Sequence, residues 1–192
     1  MEINMGKKTI QSIVLTGMLV LCTGCGKAPL SEDELNQLPE YSISGSYSYD
    51  TSDIKQRVEH SELVFVAKVV SYDGSRLEDQ AVREDEKKGS VLLGTPYTDY
   101  TVQVIENIKG NLELEKTIKI IKDGGLSPDG DSIYIWDNDE LPRTGNVYIF
   151  CATQEPDGTP LICGPYSNIL ITKVDKNNSM LVKYRDIAHS SK

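Results

Sequence analysis

The 192-residue sequence carries 29 acidic against 20 basic side chains, a formal net charge of −9, with two histidines and four cysteines. So acidic a chain is not built to grip phosphate backbones, which excludes nucleic acid as a partner. It gains nothing from an anionic lipid surface either, so any membrane anchor is covalent rather than electrostatic.

The chain opens with Lys7 and Lys8, an apolar stretch from Ile10 to Cys22, and then Thr23, Gly24 and Cys25. This is the layout of a secretory signal. The stretch has 13 positions, Gln11, Ser12 and Thr16 among them, too short and too polar for a span of about 20 apolar residues. The small pair Thr23-Gly24 before a cysteine resembles a bacterial lipobox, with Cys22 where the pattern usually has leucine. The resemblance implies cleavage between Gly24 and Cys25, lipidation of Cys25, and a protein anchored on the extracytoplasmic face of the cell membrane. A diacylglyceryl group supplies the two chains that stable anchoring needs. Removing residues 1–24, which hold two lysines and one glutamate, leaves 168 residues with 18 basic and 28 acidic side chains. That length suits one domain.

Residues 25–51 read as a tether with a short helix near 32–38. Ser31 and Glu34 form a capping box, and Leu30 and Leu35 a hydrophobic staple. Tyr41 to Asp50 alternates Ser, Gly and Tyr and reads as an extended linker, although Tyr41, Tyr47 and Tyr49 would also suit an edge strand. Ser52 to Ser61 is a short amphipathic helix with Ile54 and Val58 on one face. Leu63 to Val70 is β-branched and nearly continuous, the mark of a buried strand. Residues 75–90 are rich in charge and read as a solvated loop or marginal helix. Strands follow at 100–108, 117–121, 132–136, 146–151, 161–163, 168–172 and 180–184, separated by Gly, Pro and Asp turns. The expected fold is all-β with minor α: an OB-like antiparallel β-barrel of about 6–8 short strands over residues 52–187, with residues 188–192 as a tail.

Pro156-Asp157-Gly158 suits a three-residue hairpin loop with Gly158 left-handed. Glu155 then faces Thr159, and the same register sets Cys151 opposite Cys163. Opposed Cα atoms lie about 4.5–5.5 Å apart, within disulfide range, so a Cys151–Cys163 disulfide is expected in an exported protein.

Ser61 to Val69 is similar to the "AD-hydrophobic-GKV" opening of secreted bacterial β-domains. Tyr100 to Gly110 resembles their "YTVxVxxxxKG" strand, and Asn146 to Phe150 their later "G-x-x-Y-hydrophobic-F" strand. These domains look like the OB-type barrel of tissue inhibitors of metalloproteinases, and the resemblance covers Asp53 to Thr172. In those inhibitors a free N-terminal cysteine chelates the enzyme's zinc. Here that terminus would be the lipidated Cys25, separated from Asp53 by 27 residues, which argues against inhibition by that mechanism.

No HExxH, Cys/His cluster, GxSxG elbow or nucleotide loop occurs, so neither a cofactor nor a catalytic residue is assigned. Asp129, Asp131, Asp137 and Asp139 are candidate calcium ligands, although Asp also favours turns and their spacing is not an EF-hand. The expected role is non-catalytic: a binding domain for an envelope or extracellular protein or ligand, with loops 73–96 and 123–145 carrying the contacts. An envelope hydrolase, or a regulator of one, is the alternative.

Overall fold

The computed structural model describes residues 30–86, 89–175 and 177–190; Gly24 and Cys25 lie outside them. In chain order the elements are α1 (Glu32–Leu35), β1 (Glu40–Ile43), α2 (Ile54–His60), β2 (Leu63–Asp85), β3 (Gly89–Lys109), β4 (Thr117–Asp123), β5 (Gly125–Leu126), β6 (Ile133–Trp136), β7 (Val147–Gln154), β8 (Pro160–Ile162), β9 (Asn168–Ile171) and α3 (Ser179–Ser190). The protein is all-β with minor α.

Five strands close a ring of hydrogen bonds in the order β2-β3-β4-β8-β7 and back to β2, and β9 adds to the outer edge of β7. This is an OB-like barrel order. All its pairings are antiparallel except β4 with β8. A second small sheet, β1-β6-β5, lies beside the barrel, with β1 and β6 parallel.

The apolar run at the start of β2 serves both of its faces. Leu63, Phe65, Ala67 and Val69 point into the barrel, with Tyr100, Val102, Ile120, Tyr148, Phe150 and Ile162. Val64 and Val66 point outward, where Val58 of α2 and Leu181, Tyr184 and Ala188 of α3 cover them. Strand alternation with both faces covered explains why no polar residue interrupts the run until Lys68.

Three segments depart from the sequence reading. Residues 75–85 and 89–90 are strand rather than loop or helix: β2 and β3 stay paired out to Asp85 and Gly89. Cross-strand pairs such as Val82–Leu92 hold the ribbon, which the charge run concealed. Residues 180–184 are helical rather than a strand. Asn178 Oδ1 accepts from the backbone N–H of Met180 at 3.0 Å and of Leu181 at 3.2 Å, and this N-cap starts α3. The helix runs on to Ser190, into the expected tail.

Nor is the segment from Leu30 to Asp50 a free spacer. The capping box of α1 is present, Leu35 is buried, and Glu32 accepts from the Thr144 N–H at 2.7 Å. β1 extends the small sheet, Tyr47 packs edge-to-face on Trp136 at 5.9 Å, and Tyr49 stacks on His60 at 4.2 Å. Together these contacts make a strap across the barrel.

Candidate functional site: an arm and a groove

β7 covers β2 only from Leu63 to Lys68, and β4 covers β3 only from Tyr97 to Gln103. Beyond those limits, the strands from Leu77 to Asp85 and from Gly89 to Thr95 make ladder pairs only with each other among the described residues, while at the root the Pro96 carbonyl accepts from the Gly124 N–H at 3.0 Å. They form a two-stranded arm with open backbone edges, a ready template for another strand. Val82 is 68% exposed, and Leu92 and Leu93 are also exposed. From Leu77 to Pro96 the arm's sequence carries Glu78, Asp79, Glu84, Asp85 and Glu86 against Arg83, Lys87 and Lys88. It is therefore apolar along its strands and acidic overall.

At the root of the arm lies a groove of about 600 Å³. Leu77 and Arg76 come from the arm, Leu126 and Pro128 from the 126–130 turn, and Leu30 from the strap. The crossing is tight. Ser75 Oγ accepts from the Leu126 N–H at 2.9 Å and donates to the Tyr97 carbonyl at 3.0 Å. A Cβ on Gly125, which sits at φ +149°, would fall 2.5 Å from that same hydroxyl. Only glycine lets the two backbones approach this closely. Arg76 is held toward β3 by Asp99, Nε to Oδ2 at 3.0 Å, and pairs along its own strand with Glu78.

The four aspartates proposed for calcium do not converge. Asp129 accepts from Ser127 Oγ at 2.7 Å, Asp137 accepts from Ser44 Oγ, and Asp131 is exposed. Asp139 is buried against Lys122, whose Nζ also donates to Ser167 Oγ at 3.1 Å. Burial pushes the Asp139 carboxyl above the ordinary range, with Lys122 opposing. Among the described residues no group of three or more His, Cys, Asp and Glu side chains could hold a metal. Turn chemistry and the buried ion pair account for these acids, and the calcium reading is withdrawn.

Cys151 and Cys163 are both free. The hairpin register is the expected one: Thr153 pairs with Leu161, Gln154 with Pro160, and Gly158 is left-handed at φ 87°. The ladder stops there. The Cys151 N–H donates instead to the Ser167 carbonyl at 2.8 Å, and Cys163 Sγ lies 3.0 Å from Asp123 Oδ2. Both cysteines line one small cavity without a bond between them. Burial pushes the Cys151 thiol up to about 11, and burial together with Asp123 pushes Cys163 up to about 12.

Sequence reasoning missed the groove and the Lys122–Asp139 pair. A signal for the pair existed: Ile118, Ile120 and Lys122 alternate, so period 2 places the lysine on the inward face of β4. Nothing local names its partner. The groove had no comparable signal, because its walls come from three distant segments. Against known proteins, the chain matches no protein-family model and no curated sequence. Among the described residues no helix is long and apolar enough to cross a membrane.

Proposed function

We propose that the protein is a lipoprotein, held at the extracytoplasmic face of the cell membrane through Cys25, whose barrel is a non-catalytic binding module. The lipobox-like Thr23-Gly24-Cys25 supports the anchoring. The arm carries the binding reading: a rigid barrel projects a ribbon with open edges, exposed Val82, Leu92 and Leu93, and an excess of acid. An isolated ribbon of this kind is marginal without a third strand or a packed face. A partner segment that is extended, apolar on one face and basic would complete it by strand addition, and its continuation would lie in the groove beside Leu77, Leu126 and Pro128.

The test is photo-crosslinking in native envelopes, with a photoreactive residue at Leu92 and a control at Leu170, an exposed β9 position away from the arm. One stoichiometric protein adduct at position 92 and none at 170 is the expected outcome. No adduct at either position, or equal adducts at both, would remove the arm as the binding surface. Membrane fractionation with intact mass of the native protein and of Cys25→Ala tests the anchor: a lipidated mass, lost in the variant, is expected.

A further inference from the structure

Leu30, the first described residue, lies where the strap meets the root of the arm. It lines the groove there with Leu77, Leu126 and Pro128. On its other side it faces Val70, Tyr72 and Gly74 of β2. The residues that follow it are fastened to the barrel. Ser31 caps α1, Glu32 accepts from the Thr144 N–H at 2.7 Å, and Leu35 is buried. Only Gly26, Lys27, Ala28 and Pro29 stand between Leu30 and Cys25. Five residue steps reach at most about 18 Å, whatever their conformation.

That length sets which part of the barrel lies near the anchor. Leu30 meets β2 from Val70 onward, whereas α2 adjoins the start of the strand at Leu63. Seven strand residues separate the two places by about 20 Å. With a lipid on Cys25, the anchoring proposed above and the premise here, the Leu30 wall of the groove stands within about 18 Å of the bilayer surface, and α2 is free to stand farther off. A folded domain of about 100 residues has a radius of gyration of about 13 Å, so it is too wide to enter between that wall and the bilayer. A single extended segment does enter, because paired strands need only about 5 Å and stacked layers about 10 Å. The surface that meets it is acidic. Glu34 and Asp129 line the groove, the charge of Arg76 is matched by Asp99 and Glu78, and the arm has five acids against three bases.

We propose that the arm and its groove take the extracytoplasmic segment next to the membrane span of an integral membrane protein, an extended and basic stretch lying just above the bilayer. A freely soluble protein would have to present the same stretch from a folded body that the gap does not admit.

The first test uses the ¹⁵N-labelled lipidated chain on phosphatidylcholine nanodiscs containing a lipid with a nitroxide on its headgroup. Amide broadening is expected to be strongest at residues 75–80 and 126–130, and at least about fivefold weaker at 54–60. A flexible Gly/Ser insert of about 20 residues between Lys27 and Ala28 adds about 25 Å and should abolish that contrast. Intact mass of the same sample separates the premise from the inference. An unlipidated mass removes the anchor, and the proposal with it. A lipidated mass with even broadening, or with the strongest broadening at 54–60, overturns the placement alone. The second test maps the adduct of a photoreactive residue at Leu92 in native envelopes. The crosslinked peptide is expected within about 10 residues of an apolar span of about 20 residues, with a yield at least about fivefold lower in the insert variant. An adduct in a protein without such a span, or a yield that the insert leaves unchanged, would overturn the partner class. No adduct at Leu92 in a lipidated protein would overturn it together with the arm as the binding surface.

Discussion

Lys122 and Asp139 form an ion pair whose two side chains are wholly buried. The pair joins β4 to the turn after β6, two parts of the chain that no backbone ladder connects. Removing one partner strands the other charge. Lys122→Met or Asp139→Leu alone is expected to cost about 3–5 kcal/mol, whereas the two together should restore most of it. Urea unfolding of the two singles and the double checks this. Additive losses would mean the pair is not coupled.

The strap is expected to report through the only tryptophan. Tyr47 meets Trp136 edge-to-face, so Tyr47→Ala should shift Trp136 emission to the red and cost about 1–2 kcal/mol. An unchanged spectrum would mean that the strap does not rest on the barrel in solution.

Acid should weaken the protein partly through Asp73. Burial opposes ionisation of this carboxyl, but bonds from Lys119 at 2.6 Å, Thr101 at 2.6 Å and Ser71 at 2.7 Å prevail and hold it below the ordinary range. A carboxyl lowered in the folded state contributes its full stability above the unfolded value of about 4 and loses it as pH falls through the folded value. The stability difference between wild type and Asp73→Asn should therefore be level from pH 7 to 5 and shrink below pH 4. A constant difference down to pH 2 would contradict the assignment.

Both barrel thiols should be sluggish. Cys151 is raised to about 11 by burial, and Cys163, an exposed residue whose thiol is partly desolvated, to about 12 by that desolvation together with Asp123, so iodoacetamide at pH 8 should modify them about a hundredfold more slowly in the folded than in the unfolded protein. Peptide mass mapping over time checks each site. Rapid labelling of Cys163 would show that its hydrogen bond to Asp123 is not maintained.

Gly125→Ala should cost at least about 2 kcal/mol, because φ +149° and the contact with Ser75 leave no room for a methyl. Gly130→Ala, also at positive φ but facing open space, should cost about 1 kcal/mol. Equal losses in thermal unfolding would deny the tight crossing at the root of the arm.

Local signals were legible where the residues that decide the conformation are neighbours in sequence. The capping box at Ser31 and Glu34, helix α2 with its Ile54 and Val58 face, the inward run of β2 and the register of the 154–160 hairpin all belong to this kind. The disulfide expectation extended that register past the point where it held: two residues beyond Leu161 the Cys151 N–H turns to Ser167, a pairing with β9 that the hairpin cannot foresee. The arm was hidden for the opposite reason. Its charges look like solvated loop, and its β character rests on pairing between segments whose polar faces both meet water.

The sequence by itself determined the all-β class with minor α and the excess of acidic side chains, because periodicity, turn residues and composition act over a few positions. Tertiary structure alone decided what met what. Ser44 bonds Asp137 across 93 residues, Arg57 reaches Tyr184 across 127, and the groove takes its walls from three segments. Such contacts follow from how the barrel closes and where the strap crosses it. Their energy comes from burial and from matching polar groups in the interior, and no local pattern specifies which groups will share that space.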